Sequence, residues 1–505
     1  MFVTMQILTA ARIRAWDEFT IQEIPIASID LMERAANACF DWLTEQEFKE
    51  KSFSIFCGKG NNGGDGLAIA RLLAQSGHAV TVSILEFGHM GTEDFQINLA
   101  RLHGTTVVIR FISTEDAIHP IEPGTIVIDA LLGSGLNRPL EGLTQKVVEH
   151  INRSGNTVIA VDIPSGMYAD SSSAGNTIVQ AAHTLSFQCY KLAFLVADNA
   201  PYTGEVHILD IGLHPGFLQT NVSNYQWIDE TIVSAIIQPR KKFSHKGDYG
   251  HAGLIAGSIG MMGAAILSAR ACLRSGVGKL TCHIPAIGYT IIQGAVPEAM
   301  SKIAEGTDCI QSIGNFEKYD AVGVGPGLGL YGSHRALLLQ VFQESHCPLV
   351  LDADALNTMA QYPELLRQLP ANTILTPHVK ELERLFGTAA NDMDRMQMAI
   401  QKAAEYRAII VLKGAYSMVA TPGGMAWFNS TGNPGMATGG SGDVLTGIIT
   451  SLLAQGCTAD QAAIAGVYLH GLAGDLAATY TSQESLIASD IIDYLSDAFH
   501  QLQLK

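Results

Sequence analysis

The 505-residue sequence is poor in charge, and what charge it has is mostly negative. Only 16% of the residues are charged, and 31 basic against 48 acidic side chains give a net charge of −17. Such a chain repels the phosphate backbone of nucleic acids, so nucleic acid is excluded as a general partner. Apolar residues make up 47% of the chain, which excludes intrinsic disorder.

Several familiar signals are also missing. The eight cysteines include no Cys-x-x-Cys pair, which argues against zinc motifs and disulfide frameworks and predicts reduced core thiols. No uninterrupted apolar run reaches the ~18 residues of a membrane span. The N-terminal segment MFVTMQILTAARIR lacks the basic and apolar regions of a secretory signal. We therefore expect a cytoplasmic protein with no membrane partner.

Proline is scarce, with 17 residues, whereas glycine is abundant, with 50. Average proteins contain ~7% glycine, and this chain exceeds that without any low-complexity segment. The excess indicates tight turns or loops that lie against a ligand.

The pattern of apolar runs predicts two α/β domains. Short β-branched runs alternate with glycine turns and with segments of helical spacing, which is typical of a doubly wound parallel sheet. The predicted strands of the first half are 52–57, 79–85, 105–111, 125–132, 157–163, 183–188 and 205–212. Those of the second half are 252–257, 278–284, 320–325, 348–353, 372–377 and 408–414, with later helices at 444–456 and 462–478. A polar stretch at 213–245, predicted to be irregular, places the boundary near 225 and gives domains 1–225 and 226–505.

Polar groups follow three predicted strands of the first half. GKGNNGGDG (58–66) opens a helix, so its amides can face an anion, although a tight turn is the alternative and the string is not Gly-x-Gly-x-x-Gly. Asn62, Asp129 and Ser165 are expected to converge, because ligands bind beyond the carboxyl ends of parallel strands. Their hard oxygen atoms suit an alkali or alkaline-earth ion. Asp162 is the candidate acid/base, and a helix cap is the alternative for any single aspartate.

The string GNPGMATGGSGDVLTG (432–447) is the strongest signal of the second half. Its loop amides and helix N-terminus are suited to a phosphoryl group, and Asp443 beside them is suited to accept a hydroxyl proton. A simple helix cap is the alternative. Weaker support comes from LDADALN (351–357), TPHVKE (376–381) and KGAYS (413–417). These strings contain His378 and Lys413, and for each the alternative is an ordinary solvated side chain.

Together these strings resemble the bifunctional NAD(P)H-hydrate repair enzymes, in which an NAD(P)HX epimerase is fused to an ADP/ATP-dependent dehydratase. ILTAARIRAWDE, GNNGGDG, DALLGSGLNRP and VDIPSG resemble the epimerase domain, which is Rossmann-like. HKGDYGHAG, GPGLG, DADALN, TPHVKE and NPGMATGGSGD resemble the ribokinase-like dehydratase domain. The resemblance covers nearly the whole chain.

The resemblance implies specific roles for matching residues. In the epimerase domain, substrate contacts are implied for Asn61, Asn62, Gly63, Gly64, Asp65, Gly133, Ser134, Gly135, Leu136, Asn137, Arg138, Pro139 and Asp162, and potassium ligation for Asn62, Asp129 and Ser165. In the dehydratase domain, substrate contacts are implied for Ala264, Gly327, His378 and Asp443, and contacts to ADP for Lys413, Gly414, Ala415, Tyr416, Ser417 and Gly442. Asp443 and Asp162 are the implied catalytic residues, with Lys191 as a second candidate in the epimerase domain.

The implied reaction removes a hydroxyl from a hydrated nicotinamide ring. Asp443 would activate that hydroxyl for attack on the terminal phosphoryl group of ADP or ATP, with Mg²⁺ neutralising the phosphates. The first domain would interconvert the R and S epimers of NADHX and NADPHX, and a homo-oligomer is expected. Two alternatives remain at this point: a vitamin or sugar kinase built on the same loop, and a nucleotide sensor without catalysis.

Overall fold

The computed structural model describes residues 6–46, 48, 51–314 and 318–503. The chain forms two compact units. The first unit comprises Gln6–Ser223 with Asn391–Met393, and the second comprises Asn224–Ala390 with Asp394–Lys505. Within the described ranges, no helix combines the length and apolarity that crossing a membrane requires.

The first unit is built on a seven-stranded sheet. Its strands are β1 Phe53–Cys57, β2 Val80–Leu85, β3 Val108–Ile112, β4 Ile126–Ala130, β5 Val158–Val161, β6 His183–Phe187 and β7 Glu205–Leu209. Its helices are α1 Ala10–Glu23, α2 Ser28–Glu45, α3 Asn61–Gln75, α4 Glu93–Leu102, α5 Gly142–Arg153, α6 Ala200–Thr203 and α7 Gly216–Thr220. Every strand pairing is parallel, in the order β3-β2-β1-β4-β5-β6-β7. This confirms the doubly wound sheet predicted from the apolar runs.

Both faces of this sheet are buried. In β1, Ile55 packs into the cluster that contains Leu67 of α3, whereas its neighbour Phe56 packs into the cluster that contains Val147 of α5. Successive side chains of a strand point to opposite faces, so a strand covered on both sides is mostly apolar. The strand order reverses between β1 and β4, and that reversal opens a crevice at the carboxyl ends of the strands.

The second unit is built on a ten-stranded sheet. Its strands are β8 Tyr225–Ile228, β9 His251–Ile255, β10 Lys279–Ile284, β11 Met300–Ile303, β12 Ala321–Val324, β13 Leu349–Leu351, β14 Ile374–Leu375, β15 Ile409–Leu412, β16 Met418–Ala420 and β17 Ala426–Asn429. The order is β11-β10-β9-β12-β13-β14-β15-β16-β17-β8, parallel except for the antiparallel pairs β15–β16 and β16–β17. Its helices are α8 Glu230–Ile236, α9 Met262–Arg274, α10 Tyr289–Ala295, α11 His334–Glu344, α12 Asp354–Gln361, α13 Val379–Phe386, α14 Asp392–Tyr406, α15 Ser441–Ala454, α16 Ala459–Tyr480, α17 Ala488–Asp493 and α18 Leu495–Gln503.

The prediction of an irregular stretch at 213–245 is wrong in part. This stretch contains α7, β8 and α8, and β8 pairs with β17 some two hundred residues further along the chain. The strands β11, β16 and β17 were also missed. Each has only three or four residues, and β11 is partly exposed, so none presents the continuous apolar run that marked the other strands.

Candidate functional site

The carboxyl edge of the first sheet encloses a cavity of about 560 Å³. Most of the predicted epimerase residues line it, including Asn61, Asn62, Asp65, residues 133–138 and Asp162. They come from the start of α3 and from the loops after β4 and β5, on either side of the point where the strand order reverses. Three stretches distant in sequence therefore meet at one crevice.

Three of the predicted residues lie outside the lining of this cavity. A side chain at Gly63 would meet the carbonyl of Gly58, and one at Gly64 would meet Met32 of α2. These glycines therefore let α3 pack closely on its neighbours. Pro139 is exposed at the end of its loop. The helix itself begins at Asn61, so much of the predicted glycine loop is the first turn of α3.

Asp162 is held by a buried lysine. Its Oδ1 lies 2.8 Å from Nζ of Lys191, whose side chain is fully buried, and its Oδ2 accepts a hydrogen bond from the Ser134 amide at 2.9 Å. Burial raises the pKa of Asp162, but the Lys191 ammonium and the hydrogen bonds outweigh it and hold that pKa below its ordinary value. Asp162 also has a φ of 70°, a strained backbone state that non-glycine residues adopt mainly at functional sites.

Asp129 and Ser165 form a buried oxygen cluster. Ser165 donates to Asp129 from its hydroxyl at 2.7 Å and from its amide at 2.8 Å. Burial raises the pKa of Asp129 to about 6, with the Ser165 hydrogen bonds acting in the opposite direction. Asn62 lies at the start of α3, and neither polar atom of its buried side chain has a hydrogen-bond partner within the described part of the chain. An unpartnered buried amide needs a ligand or a water molecule.

Two acids of this cavity were not singled out from the sequence as proton carriers. Asp17 of α1 lines the cavity, and burial together with the charge of Asp162 raises its pKa to about 7. Burial, followed by Asp162 and Asp17, raises the pKa of Asp65 well above its ordinary value. The string around Asp17 resembled the epimerase, but nothing in its own pattern marked the residue. Its altered pKa depends on side chains that folding brings close to it.

Asp443 lies in the first turn of α15, a helix that begins directly after a glycine in the left-handed conformation. Gly440 has a φ of 93°, and a Cβ there would lie 2.5 Å from Leu267. This position therefore requires glycine and turns the loop sharply into the helix. Burial and the negative charge of Asp352 raise the pKa of Asp443 to about 7, while Lys413 lowers it. Asp443 thus has a carboxylate suited to exchange a proton near neutral pH.

A buried network lies next to Asp443. Nζ of Lys413 is 2.8 Å from Oδ1 of Asp352, and Thr446 of α15 donates to Oδ2 of the same carboxylate at 2.8 Å. Glu381 lies 3.8 Å from Lys413. Burial lowers the pKa of Lys413, but the two carboxylates outweigh it and raise that pKa. Lys413 is therefore a charged member of the site.

The predicted substrate residues of the second unit lie at helix starts and on loops: Ala264 in the first turn of α9, Gly327 on the loop after β12, and His378 just before α13. A Cβ at Gly327 would lie 3.0 Å from that of Ala264, so these two residues adjoin. His378 forms an isolated β-bridge with Lys413, which brings the loops after β14 and β15 together. His378 also caps α13, because its Nδ1 accepts from the amide of Lys380 at 3.1 Å. Its other nitrogen, Nε2, lies 3.5 Å from Oε1 of Glu381.

The predicted nucleotide contacts lie mainly on the loop between β15 and β16. Gly414 and Ala415 are exposed, and the ring of Tyr416 packs on Trp227 with centroids 5.8 Å apart. The hydroxyl of Ser417 donates to the Gly414 carbonyl at 3.1 Å, which closes the loop. Gly442 of α15 adjoins this loop, since a Cβ there would lie 3.2 Å from Nζ of Lys413.

His470 is a further buried residue that the sequence patterns did not indicate. Its Nε2 is 3.2 Å from the hydroxyl of Ser441, the first residue of α15. Burial lowers the pKa of His470 to about 4, so its ring is neutral at physiological pH. A neutral ring adds no positive charge to the start of α15, and it anchors the residue from which the helix begins.

Each unit thus places a glycine-rich helix start and buried carboxylates at the carboxyl edge of an α/β sheet. This combination defines a two-domain α/β enzyme with one site in each unit. The family model for the YjeF-related protein N-terminus matches residues 28–193, and the model for NAD(P)H-hydrate dehydratase matches residues 252–497.

Curated relatives match over almost the full length. The bifunctional NAD(P)H-hydrate repair enzymes of Thermofilum pendens and of Moorella thermoacetica are each 34% identical to this chain, over 99% of it and 97% of their own sequences. The ADP/ATP-dependent NAD(P)H-hydrate dehydratase from Bacillus subtilis, solved with ATP and Mg²⁺, is 33% identical and covers 55% of this chain and 98% of its own, with a TM-score of 0.48.

The chain belongs to the family of bifunctional NAD(P)H-hydrate repair enzymes, with a Rossmann-like epimerase domain in the first unit and a dehydratase domain in the second. This confirms the resemblance found in the sequence strings. It also excludes the two alternatives, a vitamin or sugar kinase and a nucleotide sensor without catalysis.

Proposed function

We propose that residues 226–505 dehydrate the S epimer of NADHX or NADPHX at the expense of ADP or ATP, and that residues 1–225 interconvert the R and S epimers. The observation that carries this proposal is Asp443, a carboxylate with a pKa of about 7 in the first turn of α15, next to the glycine loop. A general base works best when its pKa lies near the working pH. Helix and loop amides stabilise phosphoryl oxygens beside it.

The dehydration proceeds in two steps. Asp443 takes the proton of the hydroxyl on the hydrated ring, and the oxygen forms a bond to the terminal phosphorus of ADP as AMP leaves. The carbon–oxygen bond then breaks, phosphate departs with the oxygen, and loss of a ring proton restores the double bond. Phosphorylation turns hydroxide, a poor leaving group, into phosphate, a good one. Ala264, Gly327 and His378 bind the nicotinamide nucleotide in this proposal.

ADP binds to the loop 413–417 and to Gly442 in the same proposal. Gly414 and Ala415 are exposed, and together with the charge of Lys413 they make this loop suited to a diphosphate. The site fits a divalent cation as well, because Asp352, Glu381 and Asp443 outnumber its one lysine. Mg²⁺ neutralises the nucleotide phosphates when bound, and these carboxylates are the residues that would hold it.

For epimerisation, the cavity holds one acid with a lowered pKa and one with a raised pKa. Asp162 stays ionised beside Lys191, while Asp17 has a pKa of about 7. Pairs of groups with separated pKa values divide the roles of acid and base. Asp17 therefore donates a proton to the ring hydroxyl, which leaves as water, and Asp162 accepts a proton as water returns to the opposite face. Lys191 positions Asp162, and the cavity residues predicted from the sequence bind the substrate.

Asn62, Asp129 and Ser165 are the proposed potassium ligands. Asn62 Oδ1 is buried without a hydrogen-bond partner among the described residues, and the Asp129 carboxylate beside Ser165 supplies negative charge. An unpartnered carbonyl oxygen, a carboxylate and a hydroxyl are the hard donors that an alkali cation takes, so the residues fit. The ion supplies charge neutralisation for substrate phosphates when bound.

We further propose that the enzyme is cytoplasmic and homo-oligomeric.

Incubation of the full chain with mixed R and S hydrate tests this function. Samples receive ADP, ATP or no nucleotide, and the absorbance of reduced nicotinamide and the released phosphate are followed together. Complete conversion with one nucleotide, and equal amounts of phosphate and reduced cofactor, are expected. Conversion of the S share alone would contradict the epimerase assignment, and transfer of phosphate to a stable product would contradict the dehydratase assignment.

A further inference from the structure

Two strands at the edge of the first sheet carry a cluster of metal-binding side chains away from the cavity. His183 lies on β6, and Glu205 and His207 lie on the edge strand β7. In the parallel register His183 pairs with Glu205. Paired residues and residues two positions apart point to the same face, so all three side chains share one face of the sheet. Neither epimerisation nor dehydration, as described above, uses any of them.

The donor atoms of this cluster are close together. His183 Nδ1 is 3.1 Å from His207 Nε2, and Glu205 Oε2 lies 3.7 Å from the first and 3.8 Å from the second. Bonds of 2.0–2.1 Å in tetrahedral geometry place the ligands of a zinc ion about 3.3 Å apart. The three observed separations lie within about half an ångström of that value, so the donors form one face of a tetrahedral site with small side-chain adjustments.

The surroundings hold the two imidazoles in place. Trp42 of α2 packs against His183 with ring centroids 5.1 Å apart, and against His207 at 4.7 Å. The histidine side chains are about a quarter exposed, at 26% and 21%, whereas the Glu205 side chain is 71% exposed. An apolar wall on one side of a metal site orients its ligands, and an exposed carboxylate leaves an entry path on the other.

We propose that His183, Glu205 and His207 bind a divalent transition-metal ion, with Zn²⁺ as the best fit. Two imidazole nitrogens and one carboxylate oxygen form a borderline donor set, which favours zinc and its neighbours over Mg²⁺ or Ca²⁺. The ion links β6 to the edge strand β7 and leaves a fourth position open to water. Since β7 pairs with β6 alone among the described strands, this link stabilises the sheet at its open edge.

Metal binding to the full, tag-free chain tests the proposal. After EDTA treatment and dialysis, Zn²⁺ is titrated by calorimetry, and Co²⁺ is followed through the visible absorption of its four-coordinate complex. We expect one Zn²⁺ per chain at this site and a zinc-dependent rise in the melting temperature of the first unit. Quenching of Trp42 fluorescence by Co²⁺ gives a local readout, which the Trp42→Phe variant should lose.

Two variants and a control separate this site from other histidines. His207→Phe keeps an aromatic ring against Trp42 but removes the nitrogen, and Glu205→Gln removes the charge at an exposed position. We expect each to weaken Zn²⁺ binding by about a hundredfold or more, since outer-shell partners alone are worth 10–100-fold. His103→Gln, at an exposed histidine after α4, should bind as the wild type does. Equal binding by wild type and both variants, or no binding by any, would leave only a hydrogen-bonded histidine pair and overturn the proposal.

Discussion

The two units use the same arrangement of charges in different places. In the first, Lys191 contacts Asp162 at 2.8 Å, and the nearby Asp17 is left with a pKa of about 7. In the second, Lys413 contacts Asp352 at 2.8 Å, and Asp443 is left with a pKa of about 7. In each unit one carboxylate lies beside the lysine, and the negative charge of that carboxylate, together with burial, raises the pKa of the other acid. In both units the acid with a pKa of about 7 is therefore the one that does not contact the lysine directly.

The largest effect is expected from Asp443→Asn. The amide has nearly the same shape but accepts no proton, so the dehydration rate should fall by about 10²–10⁴-fold. The epimerisation rate should stay at the wild-type value. Asp460→Asn is the matched control, because Asp460 lies in the first turn of α16 and burial raises its pKa as well. Phosphate release under saturating ADP measures both variants, and more than a few per cent of residual rate would exclude Asp443 as the base.

Asp17→Asn tests the corresponding acid of the first unit. Removing the proton donor should slow epimerisation by about 10²-fold, at the lower end of the range for general acids. Dehydration of pure S substrate should be unchanged. Because the pKa of Asp17 is raised in the folded state, its contribution to stability is lost as pH rises through about 7, so the variant should be no less stable at pH 8. Glu23→Gln, at the exposed end of α1, serves as control. An unchanged rate of interconversion between the R and S epimers would exclude Asp17 as the proton donor.

The two reactions should respond to pH in opposite directions. Dehydration needs ionised Asp443, so its rate should rise tenfold per pH unit up to about pH 7 and then level off. Epimerisation needs protonated Asp17, so its rate should fall above about pH 7. Rates on the same preparation, measured from pH 5.5 to about 8.5 under substrate saturation, check this. Parallel profiles for the two reactions would contradict the comparison.

Gly440→Ala should destabilise the second unit alone. The left-handed conformation and the contact with Leu267 together should cost about 1–3 kcal/mol of unfolding free energy. Gly439→Ala is the matched control, because its Cβ would meet no atom within 4 Å. Urea unfolding, followed through the loss of each activity, distinguishes the units. Equal urea midpoints for Gly440→Ala and Gly439→Ala would contradict the requirement for glycine at position 440.

The smallest effect is expected from potassium. An ion that binds the folded first unit stabilises it, by about 1.4 kcal/mol when its concentration is ten times its Kd. The melting temperature of that unit should therefore be higher in KCl than in choline chloride at equal ionic strength. Asn62→Leu should remove the difference, because it removes a proposed ligand. A difference that persists in the variant would place the ion at another site.

The sequence strings predicted much of the fold and the glycine-rich helix starts at which the two proposed sites lie. Every strand covered by helices on both faces had a continuous apolar run, and the glycine strings marked the starts of α3 and α15. The short strands β8, β16 and β17 could not be predicted from the sequence, because they depend on pairing between distant segments rather than on a local pattern. The partners of Lys413 and the raised pKa of Asp17 could not be predicted for a similar reason.

The amino-acid sequence by itself determined the parallel sheet of the first unit, the α/β class of both units, and the two glycine-rich helix starts. These follow from apolar periodicity and from the backbone freedom of glycine, which act over a few neighbouring residues. Only the tertiary structure decided which acids have a raised pKa, because a pKa depends on burial and on charges a few ångströms away. Asp17, Asp162 and Lys191 are far apart in the chain, as are Asp352, Lys413 and Asp443, and folding alone brings each set together.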